Sequence, residues 1–412
     1  MVFLGLAFKS LISRRGSVVL TCLAMTVSIF VILGVEHIRT QAKESFYNTV
    51  SGADLIVGAR TGSANLLLYS VFRIGSATNN VSWESYSDIT ADDRVNWAIP
   101  ISLGDSHKGY RVMGTTLSYF EHYSYGKKRN LKFANGKPFH DLFDVVLGSQ
   151  VAKNLGYGIG DQITLAHGIG KTSFSMHEDK PFRISGILAP TGTPVDQTLH
   201  VSLQGIEAIH LDWQPGSRKS GPEVNSLVQE DLAIKSVTAF ILGLKSRMTT
   251  FEVQREINEF SQEPLLAILP GVALAELWEM INILEGVLQL ISYLILFSAL
   301  LGLAAMLLAS MREREQEIKL FRAIGASPSF LFVLIQVEAL IICGSSILIG
   351  SACLLLGLGV TKEKLSANFG LYVEANIFST NSVLLLSLVV IATVAVASIP
   401  SLGAYKQARS IT

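Results

Sequence analysis

Gly286–Met311 reads GVLQLISYLILFSALLGLAAMLLASM, without one charged side chain. A helix needs about 20 apolar residues to cross a hydrocarbon core roughly 30 Å thick, so this run settles the architecture. Gly16–Val35 is a second uncharged run, bounded by Arg15 and Glu36. Phe330–Val360 is a third, interrupted only by Glu338, and Ser382–Leu402 is a fourth. The whole chain of 412 residues is 49% apolar and 16% charged, with mean hydropathy +0.42. Soluble domains usually carry about 25% charge. The fold class this predicts is an α-helical membrane protein with four transmembrane helices, arranged one plus three around a polar insert.

Gly16–Val35 is too long for the apolar core of a cleaved leader. Glu36, His37, Ile38 and Arg39 follow it in place of a small-residue cleavage site. It is therefore expected to stay as an anchor. Upstream, Val2, Phe3, Leu6, Leu11 and Ile12 lie among Lys9, Arg14 and Arg15, the pattern of a helix lying in the membrane interface.

Orientation follows from where Lys and Arg collect in the short flanks. One side gathers Lys9, Arg14, Arg15, Arg312, Arg314, Lys319, Arg322, Lys406 and Arg409, whereas the loop between spans three and four offers Lys362 and Lys364. The first side is expected to be cytoplasmic, with both termini. Three regions result: residues 1–36 (interfacial helix and first span), 37–282 (a large extracytoplasmic α+β domain, expected to hold two subdomains) and 283–412 (three spans and a short cytoplasmic C-terminus). Lys and Arg number 33 against 33 Asp and Glu, so no basic surplus points to nucleic acid.

Within the outer domain, Asp54–Gly58, Gln162–Leu165, Phe182–Ile187 and Val237–Leu244 carry the β-branched and aromatic residues of strands. Arg247–Phe260 and Ala273–Leu284 read as helices, and Gln214–Glu223, with Pro, Gly, Ser and charge, reads as a loop or disordered segment. Cys22, Cys343 and Cys353 all fall inside apolar runs, which leaves no disulfide framework for the outer domain.

Signals for chemistry are weak. Gly168-Ile-Gly-Lys-Thr172 resembles the end of a phosphate loop, but Leu165 stands where the first glycine is required; a hairpin tip accounts for it better. The eight histidines run from His37 to His210, on the outer side. No pair has the spacing that builds a metal site locally, so no metal ligand is assigned, although folding can still assemble dispersed histidines. There is no G-x-S-x-G elbow, and no catalytic residue is assigned. Thr191-Gly192-Thr193-Pro194-Val195-Asp196 joins two apolar stretches; it suits a tight connection, or a loop that contacts a periplasmic partner. Glu338, an ionisable residue inside a span, is a functional candidate by default, or else a snorkelling or structurally paired carboxylate.

The most informative polar segment is Met311–Pro328, MREREQEIKLFRAIGASP. Glu315 and Lys319 form a favourable i, i+4 pair, and Ile318, Phe321 and Ile324 line one strip. Gly325 can end this helix and Pro328 can start the next. A short amphipathic helix at a membrane surface suits docking into a groove of a soluble partner.

Glu317-Ile-Lys-Leu-Phe-Arg-Ala-Ile-Gly-Ala-Ser327, followed by Glu338 and Gly350, resembles the permease signature of the MacB, LolC/LolE and FtsX group of ABC transporters. Val145–Gly156, Gly160-Asp161 and Phe182–Leu188 are similar to the MacB-like periplasmic core. The resemblance implies an inner-membrane permease whose cytoplasmic coupling helix, residues 312–327, contacts a cytosolic ABC ATPase dimer. Arg314, Glu317, Lys319, Phe321, Arg322, Gly325 and Ser327 would make that contact. It implies no cofactor on this chain, since ATP and Mg2+ belong to the ATPase, and no enzymatic activity of its own. It also implies a second permease copy or paralogue, contact with membrane lipid, and a periplasmic protein or lipoprotein as cargo or partner. ATP-driven closure would rearrange the outer domains, for lipoprotein release or for export of a substrate from the periplasmic side. Alternatives are FtsX-like signalling to a periplasmic partner, a metal-acquisition accessory permease and, outside the family, a membrane-anchored receptor.

Overall fold

The computed structural model describes residues 2–49, 51–168, 180–211, 213–214, 217–218, 232–313, 327–369 and 376–410. The chain divides into two compact units, Met1–Gln41 with Ile281–Lys362 and Val373–Thr412, and Ala42–Met280 with Glu363–Tyr372.

The first unit is helical. Among the described residues, four helices are long and apolar enough to cross a membrane, over Arg15–Tyr47, Pro270–Glu313, Pro328–Thr361 and Thr380–Gly403. Each contains one of the predicted runs but extends beyond it: the helices themselves are Arg15–Thr49, Pro270–Glu313, Pro328–Phe369 and Thr380–Ser410. The predicted Ala273–Leu284 helix is thus the first part of one unbroken 44-residue helix. Pro270 and Pro328 open their helices, where a missing N–H costs nothing. Val2–Ser13 is helical, as the interfacial pattern predicts. Its buried face is Ala7, Ser10 and Leu11, while Phe8 and Ile12 are exposed.

Packing within this unit uses small residues and hydroxyls. A Cβ on Gly350 would meet Ile29 Cγ2 at 3.1 Å and the Thr26 carbonyl at 3.2 Å, so glycine permits close approach of two helices. Ser346 Oγ donates to the Cys22 carbonyl (3.2 Å), and Ser28 Oγ reaches the Ile295 carbonyl at 3.3 Å. Large apolar side chains including Leu20, Leu294, Leu348, Leu356 and Ile391 face outward, an arrangement suited to lipid.

The second unit is α+β. Its main sheet contains β1 (Leu55–Ala59), β2 (Val95–His107), β3 (Tyr110–Thr115), β4 (Phe133–Gly136), β5 (Asp144–Leu147), β6 (Gln162–Ile163), β7 (Ala166–His167), β8 (Phe182–Leu188), β9 (Thr198–Ser202), β10 (Ala239–Leu244) and β11 (Leu265–Ile268). The order is β11-β1-β10-β2-β3-β9-β5-β8-β4, with β7 added to β2 and β6 to β8. Pairing is mixed: β5 with β8 and β3 with β9 are parallel, the rest antiparallel. Two apolar cores lie along the sheet. One gathers Leu55, Val57, Phe240, Leu242, Val253 and Leu265, the other Val112, Val145, Leu147, Phe182, Leu199 and Val201.

Local differences from the sequence reading have local causes. The Gln162–Leu165 strand is broken after Ile163, and a second short strand starts at Ala166. Each half pairs with a different partner, β8 or β2. The Arg247–Phe260 helix begins as a 3-10 turn, Arg247–Thr249, and becomes α-helical over Thr250–Asn258. The polar Gln214–Glu223 stretch, read as a loop or disordered segment, contributes Gln214, Ser217 and Arg218 to a small hairpin with Trp213; residues 215–216 and 219–223 lie outside the described residues.

Candidate functional site

The amphipathic segment expected to dock on a partner falls largely outside the described residues, which omit 314–326. Arg314, Glu317, Lys319, Phe321, Arg322 and Gly325 are therefore not placed. Ser327 is: its carbonyl accepts the Phe330 N–H at 3.0 Å, at the start of the Pro328 helix. The helices flanking the segment end at Glu313 and begin at Pro328. Lys171 and Thr172 of the glycine-rich tip are likewise outside the described residues.

Glu338 is paired. It is 1% exposed, and its Oε2 accepts from Arg14 Nη2 at 3.1 Å. Ser10 Oγ donates to its other oxygen, and Arg14 Nη2 also reaches Ser10 Oγ at 3.1 Å. A carboxylate that would be expensive alone in hydrocarbon is thereby neutralised by groups from the N-terminal segment. A second polar tie escapes a reading of uncharged runs because it lies just past them. Arg39 donates to Glu36 (3.0 Å) and Glu285 (2.9 Å), and Asn381 Nδ2 donates to Glu36 at 3.2 Å. Arg14 and the Glu36–Arg39 turn are about 35 Å apart at 1.5 Å per residue, about one hydrocarbon thickness. Between these levels, an apolar cleft of 760 Å³ lies between the Arg15 and Pro270 helices, lined by Leu20, Ala24, Leu294 and Gly302 among others.

In the outer unit, Thr191–Asp196 is a tight connection. The Asp196 carboxylate accepts from the Thr191 N–H (2.9 Å), the Thr191 hydroxyl (2.9 Å) and the Gly192 N–H (2.8 Å). Gly192 has φ +71°, a conformation suited to glycine. Thr193 caps the short turn Pro194–Gln197. Gly148 is the floor of this loop: a Cβ there would lie 2.3 Å from the Val195 carbonyl oxygen and 2.5 Å from that of Asp196. Gly148→Ala is expected to cost about 1–3 kcal/mol through overpacking. The loss would be read as a lower melting midpoint with faster hydrogen exchange confined to residues 191–198; unchanged exchange there would contradict the packing account.

Two histidine environments stand out, and neither has a spacing signature. His200, on β9, is fully buried. It stacks on Tyr119 at 5.1 Å and its Nδ1 lies 3.3 Å from the Val146 carbonyl. Burial pushes its pKa down to about 3, and the nearby Arg73 charge adds to that. The other environment joins Asp105, His167 and His210. Asp105 and His167 are opposite each other across β2 and β7, and His210 ends the Leu203–His210 helix. That helix starts directly after β9, where Ser202 Oγ caps it by accepting the Gly205 N–H. Burial acts to raise the Asp105 pKa, but the two histidines outweigh it and hold the carboxyl down at about 2.

A bundle of apolar helices interrupted by a large α+β insert defines a membrane protein of one-plus-three layout. Its family follows from two profile matches. The MacB-like periplasmic core domain matches residues 18–260, and the FtsX-like permease C-terminal domain matches residues 290–409. The chain belongs to the MacB/FtsX-type permeases of ABC transporters, a family whose members work with a partner ATPase. Among solved structures it is similar to the periplasmic region of MacB from Actinobacillus actinomycetemcomitans. That match has 10% identity and TM-score 0.34, covering 54% of this chain and 92% of that one. It is also similar to the extracellular domain of the noncanonic ABC-type transporter YknZ from Gram-positive bacteria, at 10% identity and TM-score 0.31, covering 52% and 98%. A search of curated proteins returned no match.

Proposed function

We propose that this chain is the membrane subunit through which a cytosolic ABC ATPase moves outer domains, for lipoprotein release or for export of a substrate from the periplasmic side. One observation carries the reading. Arg15–Thr49 and Pro270–Glu313 are each unbroken helices, and each contributes residues to both compact units. A rigid helix transmits displacement along its length, so a push at one end is felt at the other. In this reading the push enters through residues 312–327, and both termini are cytoplasmic. A second copy or a paralogue completes the assembly, with the cleft beside Leu20 and Leu294 available to its helices. ATP and Mg2+ bind in the ATPase, and this chain supplies no catalytic group.

The test is capture of partners from detergent-solubilised membranes, wild type against a Phe321→Asp, Arg322→Glu double variant. The expected result is an ABC ATPase recovered with wild type and reduced at least about tenfold with the variant, equivalent to about 1.4 kcal/mol of binding. Wild type that recovers no ATPase would overturn the reading.

A further inference from the structure

We propose that Asp105, His167 and His210 form a binding site for a divalent transition-metal ion of the Zn2+ class. The inference stands independently of how the permease is driven.

The argument starts with the donors. Asp105 is 2% exposed. Both imidazoles approach the same carboxylate oxygen, His167 Nδ1 at 3.0 Å and His210 Nε2 at 3.4 Å. Asp105 Oδ1 is a buried atom facing both rings, and the two histidines hold its carboxyl in the charged form. Two nitrogens and a buried oxygen thus converge on one point. One ligand atom from each residue can be chosen so that all lie within 4.8 Å of one another. Tetrahedral bonds of about 2.0–2.1 Å place neighbouring donors about 3.3 Å apart, and the two measured separations bracket that figure. The rings lie face to face, 4.5 Å apart and 7° from parallel.

The backbone supports the same reading. Pairing of β2 with β3 shifts register between Leu103 and Ser106, which brackets Asp105. Such irregularities re-aim side chains and concentrate beside functional sites. Cross-strand pairing presents His167 beside Asp105, and the capped helix brings His210 from a third element. Imidazole and carboxylate donors suit Zn2+ and its neighbours better than the all-oxygen shells of Ca2+ or Mg2+. Both histidines are about one-third exposed, so the ion keeps a coordination position open to water or to a donor from a partner. Three protein ligands with an open fourth position mark an exchangeable site rather than a closed structural one.

The experiment uses the full chain in detergent, purified through a tag without histidine and stripped with chelator. Titration with Co2+ is expected to give the visible bands of four-coordinate cobalt, bleached by one equivalent of Zn2+. Asp105→Asn, His167→Ala and His210→Ala are each expected to weaken Zn2+ binding by at least about tenfold, since even outer-shell partners are worth 10–100-fold. His140→Ala, an exposed histidine outside the cluster, should leave binding unchanged. Metal-free melting curves of the variants check that each has folded, and the conservative His210→Gln serves if His210→Ala does not. Absence of the cobalt bands in wild type, or Zn2+ affinity unaltered in folded cluster variants, would overturn the site.

Discussion

Glu338→Ala is expected to lower the stability of the membrane unit by roughly 3–5 kcal/mol, the usual cost of breaking a buried ion pair by removing one partner. The physical cause is the charge left behind. Arg14 sits only 3.1 Å from Glu338, with side-chain exposures of 12% and 1%. Without the carboxylate, the guanidinium keeps only the neutral Ser10 hydroxyl of the described acceptors in that tie. Arg14→Met should be similarly damaging, because it leaves the buried Glu338 carboxylate without its cationic partner. Removing both charges together is the informative step. Arg14→Met with Glu338→Met deletes the desolvation cost along with the attraction, so most of the loss should return. Melting of the detergent-solubilised chain across this double-mutant cycle measures the coupling. Strictly additive losses would show that the pair does not act as a unit. Ser10→Ala should cost only about 1 kcal/mol, the net worth of an ordinary hydrogen bond.

Acidification should weaken the outer unit through His200, and His200→Phe should remove much of that sensitivity. The unfolded chain protonates this imidazole near its ordinary 6.5, whereas in the folded protein burial holds the pKa at about 3. Between those values the unfolded state carries more protons. Stability is therefore full above about pH 6.5 and falls as pH drops, by on the order of 1 kcal/mol per pH unit until the folded group titrates. No solvent screening softens this, because His200 is fully buried. Its environment offers a protonated ring little help. Nδ1 faces the Val146 carbonyl, Nε2 has no hydrogen-bond partner among the described residues, and the Arg73 cation repels a second charge. His107 shifts downward for the same reason and adds in the same direction. Phenylalanine at position 200 keeps a ring against Tyr119 and cannot titrate. Melting midpoints between about pH 7 and pH 4 should therefore fall less steeply for the variant. Parallel curves for the two proteins would rule out His200 as the main acid-sensitive group.

Much of the architecture was legible from the chain alone. The four runs beginning at Gly16, Gly286, Phe330 and Ser382 all lie inside observed helices. Residues around Val145–Gly156 and Phe182–Leu188 pointed to the family whose profiles match. The helix ends were harder to read, because tertiary packing carries helices such as Arg15–Thr49 through polar residues that hydropathy treats as boundaries. Glu338 could be flagged but not interpreted, since its partners Ser10 and Arg14 are more than 320 positions away. Asp105, His167 and His210 had no common spacing to betray them, and Gly148 gave no hint that it underlies Val195.

The division has a physical origin. Span number and the one-plus-three layout depend on the length of uncharged runs, a property measured along the chain, because a bilayer selects for length and apolarity before anything else. Side-chain partnerships depend on strand register and on which helices meet, and these are set by packing among residues distant in sequence. A one-residue slip of β7 against β2 would turn His167 away from Asp105 while leaving composition, periodicity and hydropathy unchanged. Sequence alone therefore determined where this protein can enter a membrane and which family it joins. Only the tertiary structure decided which charges are paired, which histidine is held neutral and which three residues converge.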